Sequence, residues 1–467
     1  MLLSHSPDKT RAVFDDPNLL THAGLAPLMA LADRKGLPDL LAGVRPGGPC
    51  GVNAVTKVTC LLGGMAAGAD SIDDMDLLRD GAMETLFGGV RAPSTLGSHL
   101  RSYTWGNVRQ LDKAHRGLTA ALAADARLLP GREALAFVDI DSTQKRVYGY
   151  QKEGAAFGHA KIAGKNLLVK GLNALIATIS TPLAAPVLGP ARLRGGNAGS
   201  ARGAAGLAAE AIGTARECGC TGKILVRMDS AYYNAAVIGT IRRNQAYFSV
   251  TVPMNSSVRA AIAAIPDDAW TAIEYPHAIW DDQLDCWVSD AEVAETGYAA
   301  FTSKPKNQQV TARLIVRRVR AKNEKAPQGQ DELFPAWRYH AVFTDSPFGL
   351  IQAEGQHRDH AIIEQVNADL YAGALARLPS GVFTANAAWL VIAAMAHNLL
   401  RAAGTLAGRH WARARTATIR RGLITMPART ARHGRGNLIL HLPEGHHREQ
   451  AWQILWTETC GPPARAA

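Results

Sequence analysis

Residues Leu135–Thr143 read LAFVDIDST, an apolar run that ends in two aspartates with one residue between them. Leu, Phe and Val in an unbroken run suit a strand buried on both faces. Asp139 and Asp141 share strand parity, so both side chains leave on the same face. A carboxylate at the end of a central strand is costly to bury unless it is paired or binds a cation. An aspartate at a strand end is also an ordinary turn former. This segment alone leaves both readings open.

Two further segments favour chemistry. Lys223–Asp229 reads KILVRMD, a second apolar strand ending in aspartate, followed by Ser230 and a helical run. His357–Leu375 reads HRDHAIIEQVNADLYAGAL. The four-residue spacing predicts that His360 and Glu364 share a helix face, continued by Asn367 and Tyr371. Two strand-end aspartates and a helix glutamate form an oxygen-rich carboxylate triad suited to a hard divalent cation, Mg²⁺ first. His357, His360 and Glu364 are the alternative, a zinc cluster, but the HExxH pattern is absent and metal–carboxylate chemistry is preferred.

The charge balance narrows the partner. The chain carries 51 Lys and Arg against 40 Asp and Glu, a formal charge of +11, with a pI near 9.5. That points to a polyanion, DNA or RNA before a membrane. An apolar fraction of 47% provides sizeable cores and excludes a disordered chain. The six cysteines are scattered, and Cys218 and Cys220 are the only close pair, which fits a reduced compartment and no zinc knuckle. The N-terminus has no apolar core before its charges, and the run Ala387–Ala396 is too short to span a bilayer, so a cytoplasmic protein is expected.

Residues 1–130 read as a helical DNA-binding region. Helices are expected over Leu28–Leu37, closed by Pro38, then Ala54–Ala67, Ile72–Phe87 and Leu96–Tyr103, the last capped by Pro93-Ser94-Thr95, and Trp105–Leu122. Residues 131–252 read as α/β, in the order three strands, helix, strand, helix, strand. The glycines of Gly158–Lys165 and Gly195–Gly206 lack the spacing of a phosphate loop or a dinucleotide fingerprint. Residues 253–345 read as a β-rich insertion, with strands at Arg313–Ala321 and Trp337–Asp345 and a loop at Asn323–Pro335. Arg313, Arg317, Arg318 and Arg320 are placed either to line DNA or to form a solvated strand face. Residues 346–403 hold the Glu364 helix, His357–Leu378, and a second helix, Thr384–Ala403. Residues 404–467 form a basic region. Arg401–Leu440 contains nine arginines and no acidic residue, a stripe that favours phosphate contacts.

The segments DIDST with Tyr148-Gly149, VRMDSAYYN, and HRDHAIIEQVNADLYAGALARLP followed by FTANAAWLVIAAMAHNLLR resemble, in that order, a bacterial insertion-sequence transposase of the DDE class. The similarity is to the insertion-sequence family numbered thirteen-eighty, close to the family numbered four, and covers roughly residues 135–403. The resemblance implies an α/β fold: a ribonuclease H-like catalytic core with a β-rich insertion, a helical N-terminal region and a basic C-terminal region. It implies Asp141, Asp229 and Glu364 as catalytic, metal-binding carboxylates, with Asp139 the alternative first ligand or an accessory. Two Mg²⁺ ions per site are implied, with Mn²⁺ able to substitute. The expected partners are double-stranded DNA, both transposon ends and target, and a second copy of the chain in a synaptic homodimer. His360, Arg358, Arg313, Arg317, Arg413 and Arg420 are the expected DNA contacts. Related transposases carry a Tyr-Arg-Glu-Lys signature on the Glu helix, where this chain has His357, His360, Glu364 and Tyr371. A transposase-derived DNA-binding protein without catalysis, and a metal-dependent endonuclease without strand transfer, are the alternatives.

Overall fold

The structure, a computed structural model, describes residues 4–125, 127–149, 151–162, 165–281, 286–321 and 336–461. Strand β1 is Leu19–Leu20. Six helices follow: α1 (Leu25–Arg34), α2 (Leu37–Leu41), α3 (Ala54–Ala67), α4 (Met83–Leu86), α5 (Pro93–Arg101) and α6 (Trp105–Asp125). Pro38 opens α2 rather than closing α1, since its missing N–H costs nothing in a first turn. Pro93 likewise starts α5, with Ala92 at its cap, so Ser94 and Thr95 lie inside the helix. The expected helix at Ile72–Phe87 is instead a 3-10 turn, Asp73–Leu78, and the short α4. The Asp80-Gly81 pair separates them, and Gly81 takes φ of 55°.

The central region contains β2 (Leu135–Arg146), β3 (Ala156–Ile162), β4 (Lys165–Ser180), β5 (Val187–Gly195), α7 (Ala204–Glu217), β6 (Lys223–Met228), α8 (Ala235–Arg243), β7 (Tyr247–Thr251) and α9 (Ser256–Ala263). Four strands, not three, precede α7. The additional strand, β3, includes Gly158, from one of the two glycine-bearing stretches Gly158–Lys165 and Gly195–Gly206, where no strand was expected. Those glycines serve close backbone approach. A Cβ on Gly196 would fall 2.1 Å from the Gly171 carbonyl oxygen, and one on Gly158 would fall 2.3 Å from that of Gly196.

The insertion adds β8 (Thr271–Asp281), β9 (Cys286–Ala300), β10 (Val310–Ala321) and β11 (Ala336–Thr344). All ten strands from β2 to β11 belong to one sheet, ordered β3-β4-β2-β6-β7-β11-β10-β9-β8, with β5 also paired to β4. β2, β6 and β7 run parallel, and β4 and β5 are antiparallel. β11 docks antiparallel on β7, so the insertion prolongs the central sheet. The expected loop at Asn323–Pro335 lies outside the described residues.

Beyond the sheet come α10 (Leu350–Arg358), a 3-10 turn at Asp359–Ala361, α11 (Ile362–Tyr371) and α12 (Phe383–Leu406). The expected single helix His357–Leu378 is thus broken. α12 is long and apolar enough to cross a bilayer by length and composition, but 89% of its most apolar window is buried inside the protein. It packs along α6, α3 and β5 as the central core helix. Asn398, fully buried on α12, accepts the Leu188 N–H at 2.7 Å and donates to the Leu188 carbonyl and to Thr119, tying α12 to β5 and α6.

The basic C-terminal region folds as α13 (Arg409–Ala412), α14 (Thr416–Ile419), β12 (Ala428–Arg432), β13 (Leu438–His441) and α15 (Glu449–Cys460). It closes on the start of the chain. β1 pairs with β12, and Arg34 of α1 donates to the carbonyls of Glu458 and Thr459 at 2.8 and 2.9 Å.

Candidate active site

Strand β2 is apolar on both faces over its first half. Ala136, Val138 and Ile140 join the main core, while Leu135 and Phe137 pack with Leu225 on the other side. The second face then turns polar and meets the Glu364 segment. Asp139 contacts His360, Asp141 contacts Asn367, and Thr143 contacts Tyr371. A strand period of two residues therefore runs along a helical stripe. The face expected from His360, Glu364, Asn367 and Tyr371 is the one turned to β2, although His360 sits on the 3-10 turn rather than on α11 itself.

The two aspartates of β2 have different surroundings. Asp139 is completely buried. The Arg227 guanidinium, directly across the β2–β6 ladder, donates to both its oxygens at 2.6 and 2.7 Å. The His360 Nδ1–H donates to it at 3.1 Å. Burial alone would raise its pKa, but Arg227 and His360 outweigh that and hold the carboxyl below its ordinary value. Arg227 also stacks over Phe137 at 4.0 Å and donates to the Gln356 carbonyl at 2.6 Å, so the pair fastens β2 and β6 to α10.

Among the described residues, no lysine or arginine forms an ion pair with Asp141. Its Oδ2 accepts from the Asn367 amide at 3.1 Å and its Oδ1 from the Ser142 N–H at 2.6 Å. Burial, together with the negative charges of Asp229 and Glu364, pushes its pKa up to about 6. Asp229 ends β6 and caps the short turn Ser230–Tyr232, accepting the Ala231 N–H at 3.0 Å. It is open to solvent, yet the protein atoms crowded around it raise its pKa. Glu364 is exposed in the first turn of α11. The three carboxylates thus come from β2, the end of β6 and α11, and they are electrostatic neighbours.

Among the described residues, no three His, Cys, Asp or Glu side chains stand close enough together to coordinate one ion. The donor chemistry nevertheless fits a hard cation, since Asp141, Asp229 and Glu364 all offer carboxylate oxygens, Asp229 and Glu364 act on Asp141 as like charges, and among the described residues no lysine or arginine forms an ion pair with any of the three. The zinc alternative is excluded by geometry. His357 is buried, with Nδ1 and Nε2 each 2.9 Å from the hydroxyls of Ser249 and Thr251, and His360 is turned to Asp139.

The expected DNA contacts are scattered. Arg313 is paired with Glu295 and donates to the carbonyls of Ser346 and Phe348 at 2.8 and 2.7 Å. Arg317 faces Glu354 at 3.7 Å, and Arg358 faces the same carboxylate at 3.4 Å. Arg318 pairs with Glu292 between the rings of Trp270 and Trp337. The Arg320 side chain lies outside the described residues. Arg420 rests against Gly68 and Gly373, whereas Arg413 rims an open cleft. His360 alone of the six borders the carboxylates.

Sequence reasoning missed Arg227 and the role of Asn367. Arg227 had a signal, an arginine inside the otherwise apolar KILVRM, where a buried charge demands a partner. Lys145 was also missed. Its ammonium lies 4.4 Å from the Tyr371 ring, above the last residue of the Glu364 stripe.

None of the curated proteins matches the chain significantly. The family model for the transposase DDE domain, group 1, matches residues 7–457, nearly the full length. A mixed α/β sheet that presents aspartates from two of its strands and a glutamate from a covering helix accords with that match, and the chain belongs to the DDE transposase family.

Proposed function

We propose that this chain is the transposase of a bacterial insertion sequence, of the family numbered thirteen-eighty, acting on double-stranded DNA through Asp141, Asp229 and Glu364. The observation that carries the reading is the convergence on Asp141 of two further carboxylates, Asp229 and Glu364, from separate elements, which together with burial raise the Asp141 pKa. Uncompensated carboxylates at strand and helix ends are what a cation-dependent phosphodiester chemistry requires. The strand order β5-β4-β2-β6-β7, with three antiparallel strands followed by two parallel ones, supports a ribonuclease H-like core. Asp139 is read as a structural anchor and Asp141 as the first metal carboxylate, because the Asp139 oxygens are already occupied by Arg227 and His360.

When bound, a pair of Mg²⁺ ions at these carboxylates would supply Lewis-acid stabilisation of charge at the scissile phosphate. The chain's own residues prepare the site. Asn367 orients Asp141 through its amide. Asp139 fixes the His360 ring through Nδ1, which leaves Nε2 to meet a phosphate oxygen. Tyr371 and Thr143, 2.6 Å apart, close the far end of the stripe. Water and then the freed 3′ hydroxyl serve in turn as nucleophiles, and no covalent protein intermediate is needed. Two ends must be held together, which calls for a homodimer on DNA. Product analysis tests this reading. Incubation with end-bearing DNA and a target plasmid should give 3′ ends joined to target, whereas nicked or linear DNA alone would reduce the chain to an endonuclease.

A further inference from the structure

The other face of α11 borders a cleft of about 530 Å³. Phe137 lines it. Phe137 stands four strand positions, roughly 13 Å, from Asp141, and Arg227, which pairs with Asp139, also lines the cleft. Ile362, Gln365 and Asp369 of α11 face the cleft, while Glu364, Asn367 and Tyr371 face away from it. Its opposite wall is His397 and Arg401 of α12, and its rim is Arg413 and Arg415.

The polar groups of this cleft are arranged but not satisfied. His397 is buried, and neither ring nitrogen makes a hydrogen bond. The Asp369 carboxylate stands 3.9 Å from Nδ1. The Pro186 carbonyl lies near the ring, outside hydrogen-bond geometry. Arg401 is buried too. It donates to the Ala412 carbonyl and, at 2.5 Å, to that of Ala414, while its Nε has no partner. Those two bonds hold the segment carrying Arg413 in place. Asp369 is occupied on one oxygen by the Thr416 N–H at 2.9 Å, which fixes the segment just beyond Arg415. Arg413 and Arg415 are exposed and have no carboxylate partner among the described residues. Burial lowers the Arg401 pKa only to about 10, so the guanidinium stays charged at neutral pH.

Buried donors without acceptors carry a desolvation cost that a ligand's acceptors would relieve. Guanidinium groups that converge on one cleft match the oxygens of a phosphate in geometry and charge. We infer that the cleft between α11, α12 and Arg413–Arg415 is a phosphate-binding site, taking the group either as a free anion or as part of a nucleic-acid strand. The strand source rests on the transposase reading, and the free-anion source does not. Exposure of Arg413 and Arg415 leaves the rim open to a phosphate that remains within a chain.

The test uses the full-length protein, a double variant Arg413→Gln with Arg415→Gln, and a charge-matched control, Arg409→Gln with Arg421→Gln, at two other exposed arginines. The probes are inorganic phosphate, titrated against chloride at equal ionic strength, and a short blunt DNA duplex. Binding is read by calorimetry, and equal melting temperatures in phosphate-free buffer confirm folding. The inference predicts that the rim variant loses about tenfold in affinity that the control keeps. Loss for inorganic phosphate with unchanged duplex binding assigns a free anion. Loss for duplex beyond that of the control assigns a strand phosphate. Rim variant and control behaving alike with both probes would overturn the inference. None of these readouts requires DNA cutting, so they stand apart from a failure of the catalytic reading.

Discussion

Asp139 and Arg227 face each other across the parallel β2–β6 ladder and form a two-pronged ion pair shut off from solvent. Asp141, two residues further along the same face, has only neutral donors on its oxygens and two carboxylates as neighbours. Under the proposed function, Asp139 is then the structural aspartate and Asp141 the chemical one. Breaking a buried pair by removing one partner costs about 3–5 kcal/mol. Asp139→Ala should therefore destabilise by about that amount in urea unfolding. Asp141→Asn should unfold at or above the native denaturant midpoint, because it removes a repelled charge, while losing DNA cleavage. A stable Asp139→Ala alongside an unfolded Asp141→Asn would reverse the assignment.

Asn367 touches no expected substrate position, yet its amide holds Asp141. Groups that orient a metal ligand typically contribute 10–100-fold. Asn367→Ala should lower the cleavage rate by about tenfold or more, leave end-DNA affinity unchanged and raise the Mg²⁺ concentration needed for half-maximal rate. A loss confined to DNA affinity would show that Asn367 acts on DNA and not through Asp141.

Asn398 satisfies both backbone groups of Leu188 from the central helix. Replacing it by Leu leaves a buried N–H and a buried carbonyl without that partner, at about 1–3 kcal/mol for each unsatisfied group. The expected outcome for Asn398→Leu is a fall of about 2 kcal/mol or more in unfolding free energy, read by chemical denaturation. Native stability in the variant would mean that the amide is dispensable to the α12–β5 contact.

His115 is fully buried and donates from Nε2 to the Gly189 carbonyl at 3.0 Å. Burial pushes its pKa down to about 4, from 6.5. Below the unfolded value the unfolded chain binds the proton first, so the stability tied to neutral His115 is intact above about pH 6.5 and is lost as pH falls toward 4. Relative to His115→Gln, the native chain should lose about 3 kcal/mol across that window, at ~1.4 kcal/mol per pH unit. Parallel pH profiles for the two proteins would remove His115 as the cause.

Much of the site was legible because its residues sit where periodicity speaks clearly. The apolar runs into Asp139, Asp141 and Asp229 are strands β2 and β6, and the stripe of His360, Glu364, Asn367 and Tyr371 is the face turned to β2. Strand parity treats Asp139 and Asp141 alike, so the preference for Asp141 came from the resemblance alone, and the difference in their surroundings arises from the cross-strand register with Arg227. β3 was hidden because Gly158 serves a close approach to the Gly196 carbonyl just beyond β5, and a glycine in a short segment resembles loop composition. The arginines of β10 read either as lining DNA or as a solvated strand face. Glu292 and Glu295 on β9 and Glu354 on α10 engage three of them across distances that no local pattern encodes. The attachment of the insertion to β7, and of the C-terminal region to β1, likewise depends on pairings between segments far apart in sequence.

The central claim is that Glu364 completes a DNA-cutting carboxylate site with Asp141 and Asp229. The most direct measurement is cleavage of supercoiled DNA carrying the element's own ends, with Mg²⁺, by the native chain and by Glu364→Ala. Because Glu364 is exposed, the variant should fold and bind end DNA as the native chain does. The account predicts cutting at the ends by the native protein and none by the variant. Undiminished cutting by Glu364→Ala, or end binding without cutting by the native chain, would contradict it.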